Sequence, residues 1–273
     1  MFTKEQVTRY ARHFVLPQIG PKGQQRLLDS SVLVIGAGGL GSAALYYLAA
    51  AGVGTIGIAD GDRVGLSNLQ RQIIHRTDRI DDWKTESAGE TIRQLNPDVW
   101  VQLHPFYLTP ENILDVLEPY DFVIDATDRF ETKYLVNDAC VLAGKPYVHA
   151  GVVGFRGQVM TYIPESSPCL RCILPEIPDD QGAPCAQAGV LGAVAGILGS
   201  IQAAEAVKYL VQAGELLTGR VLYVDALSIE FRTLHCKEKN PECSICGKHP
   251  TIHNLLDEAE SYIPRDCAGE EKI

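Results

Sequence analysis

"SSVLVIGAGGLGSAALYYLAAAGVGTIGIAD" (residues 30–60) is the stretch that decides the fold. An apolar run, Val32–Ile35, meets a glycine-rich turn. An Ala/Leu pattern of helical period follows, and a second short apolar run ends at Asp60. This is a strand–helix–strand unit of the length a parallel crossover needs, and its hand is expected to be right-handed. Within it, "GAGGLG" (36–41) matches G-x-G-x-x-G at Gly36, Gly38 and Gly41, between strand and helix. Glycine is needed where the chain turns sharply and where amides approach a phosphate with no Cβ in the way. The dipole of the following helix favours the same anion. The context predicts a bound nucleotide without saying which. Asp60 stands where an acid takes ribose hydroxyls, in NAD and ATP alike. A tight turn with no ligand is the alternative.

The next segment, "DGDRVGLSNLQRQIIH" (60–75), separates the nucleotides. Hydride chemistry needs an apolar slot for a nicotinamide. Here the chain supplies Asn68, Gln70, Arg71 and Gln72, with Lys84 further on. Two cations and several amides suit the β- and γ-phosphates of ATP and the charge that builds as pyrophosphate leaves. A solvated loop with a surface Arg and Lys is the competing reading. No G-x-x-x-x-G-K-[ST] occurs, which excludes a P-loop enzyme. "DATD" (125–128) closes a later strand at the edge where such sheets bind ligands. Asp125 is either ligand-facing or a structural acid. Asp128, one step into the loop, suits Mg2+ or caps the next helix.

Downstream, helix patterns at 86–97, 110–120 and 133–146 alternate with strand patterns at 99–106, 121–127 and 147–154. That alternation predicts an α/β, Rossmann-like, doubly wound and mostly parallel sheet. After residue 151 the segments 156–165 and 219–236 read as antiparallel strands, separated by a proline-rich loop (164–184) and a small-residue helix. The acidic end, 257–273, is expected to fray.

At 273 residues, with 46% hydrophobic and 21% charged, the chain has the composition of a globular protein with one large domain. A net charge of −10 argues against a nucleic-acid partner, which requires a basic face. The amino terminus carries no apolar signal core, so a cytoplasmic location is expected. "AGVLGAVAGILGSIQAA" (188–204) approaches the length of a membrane span. It is rich in Gly and Ala and runs into Glu205 and Lys208, so it reads as a buried helix suited to close backbone approach, including at a subunit interface.

Of eight cysteines, four form C-x-x-C pairs, "CLRC" (Cys169, Cys172) and "CSIC" (Cys243, Cys246). Four thiolates fill a tetrahedral Zn2+ and leave no open position, which makes the site structural. A redox dithiol or an iron–sulfur cluster are the alternatives. Cys140, Cys185, Cys236 and Cys267 stand alone.

Together "RYARHFVLPQIGPKGQQRLLDS", "VLVIGAGGLGS", "LSNLQRQIIH", "DATD", "CLRC", "CAQAGV" and "CSICG" resemble the ThiF/MoeB/HesA family, bacterial relatives of ubiquitin-activating enzymes. The likeness covers roughly residues 8–250. It implies an adenylyltransferase, residues 1–250, that joins AMP from ATP–Mg2+ to the carboxy-terminal glycine of a ubiquitin-like sulfur carrier ending in Gly-Gly. Homodimers and structural zinc go with the family. By the same resemblance, Asp60 binds ribose, Gly39 lines the loop, Asn68, Arg71 and Lys84 contact phosphates, and Asp128 is the key magnesium-holding acid. Arg12 matches a position that reaches the partner subunit's site. Cys185 matches a cysteine that forms a thioester or acyl disulfide in some members. Arg129 departs from the family's usual Asn. Residues 251–273 resemble the linker to a rhodanese-like domain, so a separate sulfur donor, a cysteine desulfurase or a rhodanese, is expected. An NAD-dependent oxidoreductase and a non-catalytic member of the fold are the competing functions.

Overall fold

A computed structural model of the chain describes residues 1–176 and 189–263. Three short helices come first: α1 (Lys4–Arg9), α2 (Ala11–Phe14) and α3 (Gly20–Asp29). The crossover unit follows as β1 (Ser31–Ile35), α4 (Gly39–Ala51) and β2 (Thr55–Ala59). After a long loop come α5 (Lys84–Leu95), β3 (Trp100–His104), α6 (Ile113–Leu117), β4 (Phe122–Asp125), α7 (Phe130–Leu142) and β5 (Tyr147–Val153). The second half holds β6 (Arg156–Tyr162), α8 (Leu170–Ile173), α9 (Gly192–Val211), β7 (Arg220–Asp225) and β8 (Glu230–His235).

The described strands form one sheet of order β3-β2-β1-β4-β5-β6-β7-β8. Pairing is parallel from β3 to β5 and antiparallel from β5 to β8, as the sequence pattern implies. The order reverses between β1 and β4, whose ends meet at Ile35 and Asp125. Ligand crevices of such sheets open at this switch point. β1 shows why the sheet is central: Val32 and Val34 enter one apolar cluster, Leu33 and Ile35 the other. A strand buried on both faces needs a continuous apolar run rather than alternation.

The small-residue segment resolves as α9, which starts at Gly192 and runs past Glu205 and Lys208 to Val211. It is long and apolar enough to cross a membrane by length and composition alone, yet it packs on α4 and under β4, β5 and β6. A Cβ at Gly199 would lie 2.2 Å from the Leu40 carbonyl oxygen. The close backbone approach is therefore between two helices of the same chain. Glu205, buried, accepts hydrogen bonds from the Thr161 hydroxyl (2.6 Å) and the Leu217 amide (2.7 Å), which satisfies the carboxylate inside the fold.

The acidic end differs from expectation over its first part. Residues Leu255–Tyr262 form a 3-10 turn whose Leu255 and Tyr262 are buried with Ile252 in the cluster around α7. The Tyr262 hydroxyl donates to Asp138 on α7 at 2.7 Å. Three anchors in an otherwise polar stretch give it the contacts that fraying ends lack.

Candidate active site

The glycine loop leaves β1 at the switch point. Gly36 has φ +96, and a Cβ there would meet the Ala126 carbonyl oxygen at 2.8 Å, so this loop and the one after β4 touch. α4 starts at Gly39 with Gly38 as an N-cap that has no side chain to occupy the first-turn amides. Those amides keep their affinity for an anion. Ala37 is held at both ends: its N–H donates to Asp60 Oδ2 (2.8 Å), and its carbonyl lies 2.9 Å from His75 Nε2.

Asp60 also accepts the Asp62 amide through Oδ1 at 2.8 Å. Burial pushes its carboxyl up, opposed by the nearby Lys84 ammonium and these two backbone donors. Lys84 is no surface lysine. It is buried, with Nζ 2.7 Å from Asp62 Oδ2 and 4.0 Å from Asp60 Oδ2. Asp62 is pushed up by burial, but hydrogen bonds from Lys84 and Tyr107 outweigh this and hold it below the usual carboxylate range. The Asp62 hydrogen bond in turn drives the Tyr107 hydroxyl up to about 12. The Arg129 charge acts on both Asp62 and Tyr107, in the direction that favours their ionised forms. Arg129 thus stands near this acidic end of the site.

Two helix starts, those of α4 and α9, converge on Arg71. Gly192, opening α9, would carry a Cβ 3.1 Å from Arg71 Cα; one at Gly39 would lie 3.1 Å from Ala195 Cβ and 3.6 Å from Arg71 Cγ. Arg71 therefore lies across the start of α4, steadied by a 3.2 Å bond to the Ser67 carbonyl. Asn68 Oδ1 accepts the Gly65 amide (2.9 Å), fixing the turn that delivers Arg71. Gln72 is buried beside the loop, its Nε2 3.7 Å from a Cβ position on Gly38, and its Oε1 has no hydrogen-bond partner among the described residues.

Asp128 and Arg129 occupy the exposed loop between β4 and α7. The N-cap of α7 is Arg129, so Asp128 precedes the capping position. Asp125 is the structural acid of the motif. Fully buried, it accepts from Thr127 N (3.0 Å) and Oγ1 (2.6 Å), lies 2.8 Å from His149 Nδ1 and pairs with Lys133 Nζ at 3.3 Å. Burial raises its carboxyl, yet the Lys133 charge and the His149 hydrogen bond prevail and hold it well below the ordinary range. A buried charge with this many partners pins the loop that bears Asp128.

The C-x-x-C pairs meet. Sγ separations are 3.3 Å for Cys172–Cys246, 3.4 Å for Cys169–Cys246, 3.7 Å for Cys169–Cys243 and 3.9 Å for Cys169–Cys172. A tetrahedral ion with metal–sulfur bonds of about 2.3 Å spaces its sulfurs about 3.8 Å apart, so the cluster could hold a metal ion such as zinc. The first pair sits on the short helix α8, with Cys169 as its N-cap. Between the ligands, Arg171 reaches Asp138 on α7 with Nε–Oδ1 at 2.8 Å and Nη2–Oδ2 at 2.7 Å.

Arg12 is not at this chain's own crevice. α2 is tied to α3 and the far end of α4: His13 Nδ1 is 2.8 Å from Gln24 Oε1, and Gln24 Nε2 donates to the Ala51 carbonyl at 2.9 Å. The thirteen residues of α4 separate that anchor from the glycine loop by about 20 Å. Cys185 lies outside the described residues. Asp62, His75, Lys133 and His149 were not singled out from sequence. A local signal existed for two of them, a second acid two residues after Asp60 and the lone polar His149 inside an apolar strand; Lys133 and His75 have polar neighbours and carry none.

A glycine loop at the switch point, a strand-end acid and a cation-bearing loop place the chain among the Rossmann-like doubly wound proteins. More narrowly, it belongs to the ThiF family, which matches residues 10–245. It is 47% identical over 262 residues to the sulfur carrier protein adenylyltransferase of Thermus thermophilus, covering 94% of this chain and 96% of that protein. It is 46% identical over 244 residues to the SAMP-activating enzyme E1 of Haloferax volcanii, covering 89% and 90%. The adenylyltransferase and sulfurtransferase MOCS3 of Anopheles gambiae is 42% identical over 254 residues, which cover 93% of this chain but 58% of that protein. The fold of E. coli MccB solved with ATP superposes with a TM-score of 0.75 at 24% identity, covering 88% of this chain and 73% of that one.

Proposed function

We propose that the protein adenylylates the carboxy-terminal glycine of a ubiquitin-like sulfur carrier, using ATP and releasing pyrophosphate. The observation that carries this is the convergence, at one switch point, of open helix amides, Asp60 with Lys84, Arg71 across the start of α4, and the Asp128 loop. The names of the two relatives aligned over nine-tenths of their length or more support the same reading and do not favour an oxidoreductase.

In this reading Gly38 and Gly39 admit the phosphates, Gly36 and Gly41 let the loop pack tightly against the Ala126 carbonyl and on itself, and Asp60 holds the ribose. Asn68, Arg71, Gln72 and Lys84 line the polyphosphate, with Arg129 beside the acidic end. The carrier carboxylate attacks the α-phosphorus, the bond to the bridging oxygen breaks, and pyrophosphate leaves with that electron pair. No proton need move, so catalysis rests on positioning and on charge stabilisation. Asp128, an exposed carboxylate on the rim, would hold the Mg2+ that arrives with ATP and neutralises phosphate charge. The carrier tail needs Gly-Gly because an extended strand without side chains meets no obstruction there.

Zinc in the four-cysteine cluster would be structural, since four thiolates leave no open position. Cys185 would take the carrier in a later covalent step, its thiolate displacing AMP from the carrier adenylate to form a thioester, with sulfur from a separate cysteine desulfurase or rhodanese. The chain would work in the cytoplasm as a homodimer. A groove of about 580 Å³ between α4 and α9, lined by Ala43, Tyr46, Tyr47, Ile73, Gly196 and Ile197, exposes Tyr47 and Ile73 at 60% each. A two-fold axis across the middle of α4 would pair this face with itself. It would then bring the partner's Arg12 toward the glycine loop, because α4 has the loop at one end and the α2 anchor at the other.

The test is carrier-dependent ATP–pyrophosphate exchange against a panel of small proteins ending in Gly-Gly. Exchange with at least one, lost when its last glycine is removed, is the expected result. Exchange with none would overturn the reading.

A further inference from the structure

His75 closes the motif "LSNLQRQIIH", yet none of the chemistry above uses it. It is buried, and its two ring nitrogens reach different elements. Nε2 lies 2.9 Å from the carbonyl of Ala37, the second residue of the glycine loop. Nδ1 lies 3.0 Å from the Ser87 hydroxyl, on α5. The chemistry of the partners assigns the protons. A carbonyl can only accept, so Nε2 carries the hydrogen, and in the neutral ring Nδ1 accepts from Ser87. Ser87 is three residues after Lys84, one turn along the same helix.

We propose that His75 is a positioning residue that braces the glycine loop against α5, and so sets the spacing between the loop amides and the Lys84 ammonium. Ala37 is gripped through both of its flanking peptide groups, the 36–37 amide by Asp60 and the 37–38 carbonyl by His75. Neither peptide can rotate without breaking one of these hydrogen bonds. Lys84 is gripped independently by Asp62 and stands beside Asp60. His75 is thus a second strut between the two halves of one anion site. A fixed spacing matters because phosphate must meet the amides and the ammonium together. This inference rests on the nucleotide reading of the glycine loop.

The test uses the full-length protein with ATP binding measured directly, and pyrophosphate exchange with a carrier that supports it. His75→Ala is expected to raise the ATP Kd and KM about tenfold or more, the scale of one or two buried hydrogen bonds, with kcat reduced less. His75→Gln, whose amide nitrogen can still donate to the Ala37 carbonyl, should recover most of the affinity. Ser87→Ala removes the ring's orienting partner and should raise the Kd about threefold; it keeps the test open should His75→Ala not fold. Thr161→Val is the structural control. Thr161, on β6, donates from Oγ1 to the buried Glu205 carboxylate at 2.6 Å and belongs to neither the glycine loop nor α5. The variant should lower the melting temperature and leave the ATP Kd unchanged. The inference falls if the wild type binds ATP and the folded His75→Ala and Ser87→Ala proteins bind it equally well, or if Thr161→Val weakens ATP as much as they do. Absence of ATP binding in the wild type would instead overturn the nucleotide reading itself, and this inference with it.

Discussion

Replacing His75 by Gln should change how the protein's stability depends on pH, by an amount the structure sets. Burial pushes the His75 imidazole down from 6.5 to about 4, with the Lys84 charge acting in the same sense and the Ala37 hydrogen bond against it. At neutral pH the ring is uncharged in both folded and unfolded chains and contributes no pH dependence. As pH falls through 6.5, the unfolded chain takes up a proton that the folded chain still refuses. Stability is therefore lost between 6.5 and about 4 and is constant again below that. At about 1.36 kcal/mol per pH unit, the loss across the window amounts to about 3 kcal/mol. That is a large part of the roughly 5–15 kcal/mol a domain possesses. The assay is urea unfolding at intervals from pH 7.5 to 4.5, with ΔG extrapolated to water for both proteins. His104 and His149 are also displaced downward by burial, but both remain in the variant, so the difference curve isolates His75. The wild type should lose stability relative to His75→Gln as pH falls, by about 2–3 kcal/mol at pH 4.5. Parallel curves for the two proteins would refute the argument, because they would mean that the folded ring accepts its proton as readily as the unfolded one.

Three other outcomes are expected. Arg12→Ala and Asp128→Ala should each lower carrier-dependent exchange by about 10²–10³. Mixed after reversible subunit dissociation, they should recover activity toward about a quarter of wild type, since half the dimers would then hold one intact composite site; failure of every mixture to recover would sink the trans-acting role of Arg12. Lys133→Met should destabilise by about 3–5 kcal/mol by leaving Asp125 an uncompensated buried charge. A double variant with Asp125→Asn should restore part of this loss, and chemical denaturation of the three proteins measures it. Cys243→Ser should release any metal held by the cluster and lower the melting temperature, as read by elemental analysis and calorimetry; a metal content equal to wild type would contradict a shared four-thiolate site.

Much of the architecture was legible because it is local. The apolar runs at Val32–Ile35 and 121–127, the glycine turn between strand and helix, and the C-x-x-C spacing each follow from a period or contact spanning a few residues. Part of the candidate site was legible for the same reason: Gly36, Asp60 and Asp128 stand just after strand ends, and strand ends share one edge of a parallel sheet. What the pattern could not convey was pairing across long separations. Lys84 read equally well as a surface lysine until the fold set it against Asp60 and Asp62, more than twenty residues earlier. His149 sits within an apolar strand and Lys133 on a helix, and only the adjacency of β4, β5 and α7 makes them partners of Asp125.

The sequence by itself determined the parallel-to-antiparallel sheet, the glycine loop between strand and helix and the two C-x-x-C pairs, since each depends on steric and hydrogen-bonding rules that act along the chain. Tertiary structure decided the rest: that the apolar 192–211 helix lies against α4, that residues 255–262 dock through Tyr262, and that Arg12 lies a helix length from its own crevice. The physical reason is that burial and charge pairing depend on which surfaces meet. A side chain's chemistry states what it needs, while packing alone supplies the neighbour that meets the need.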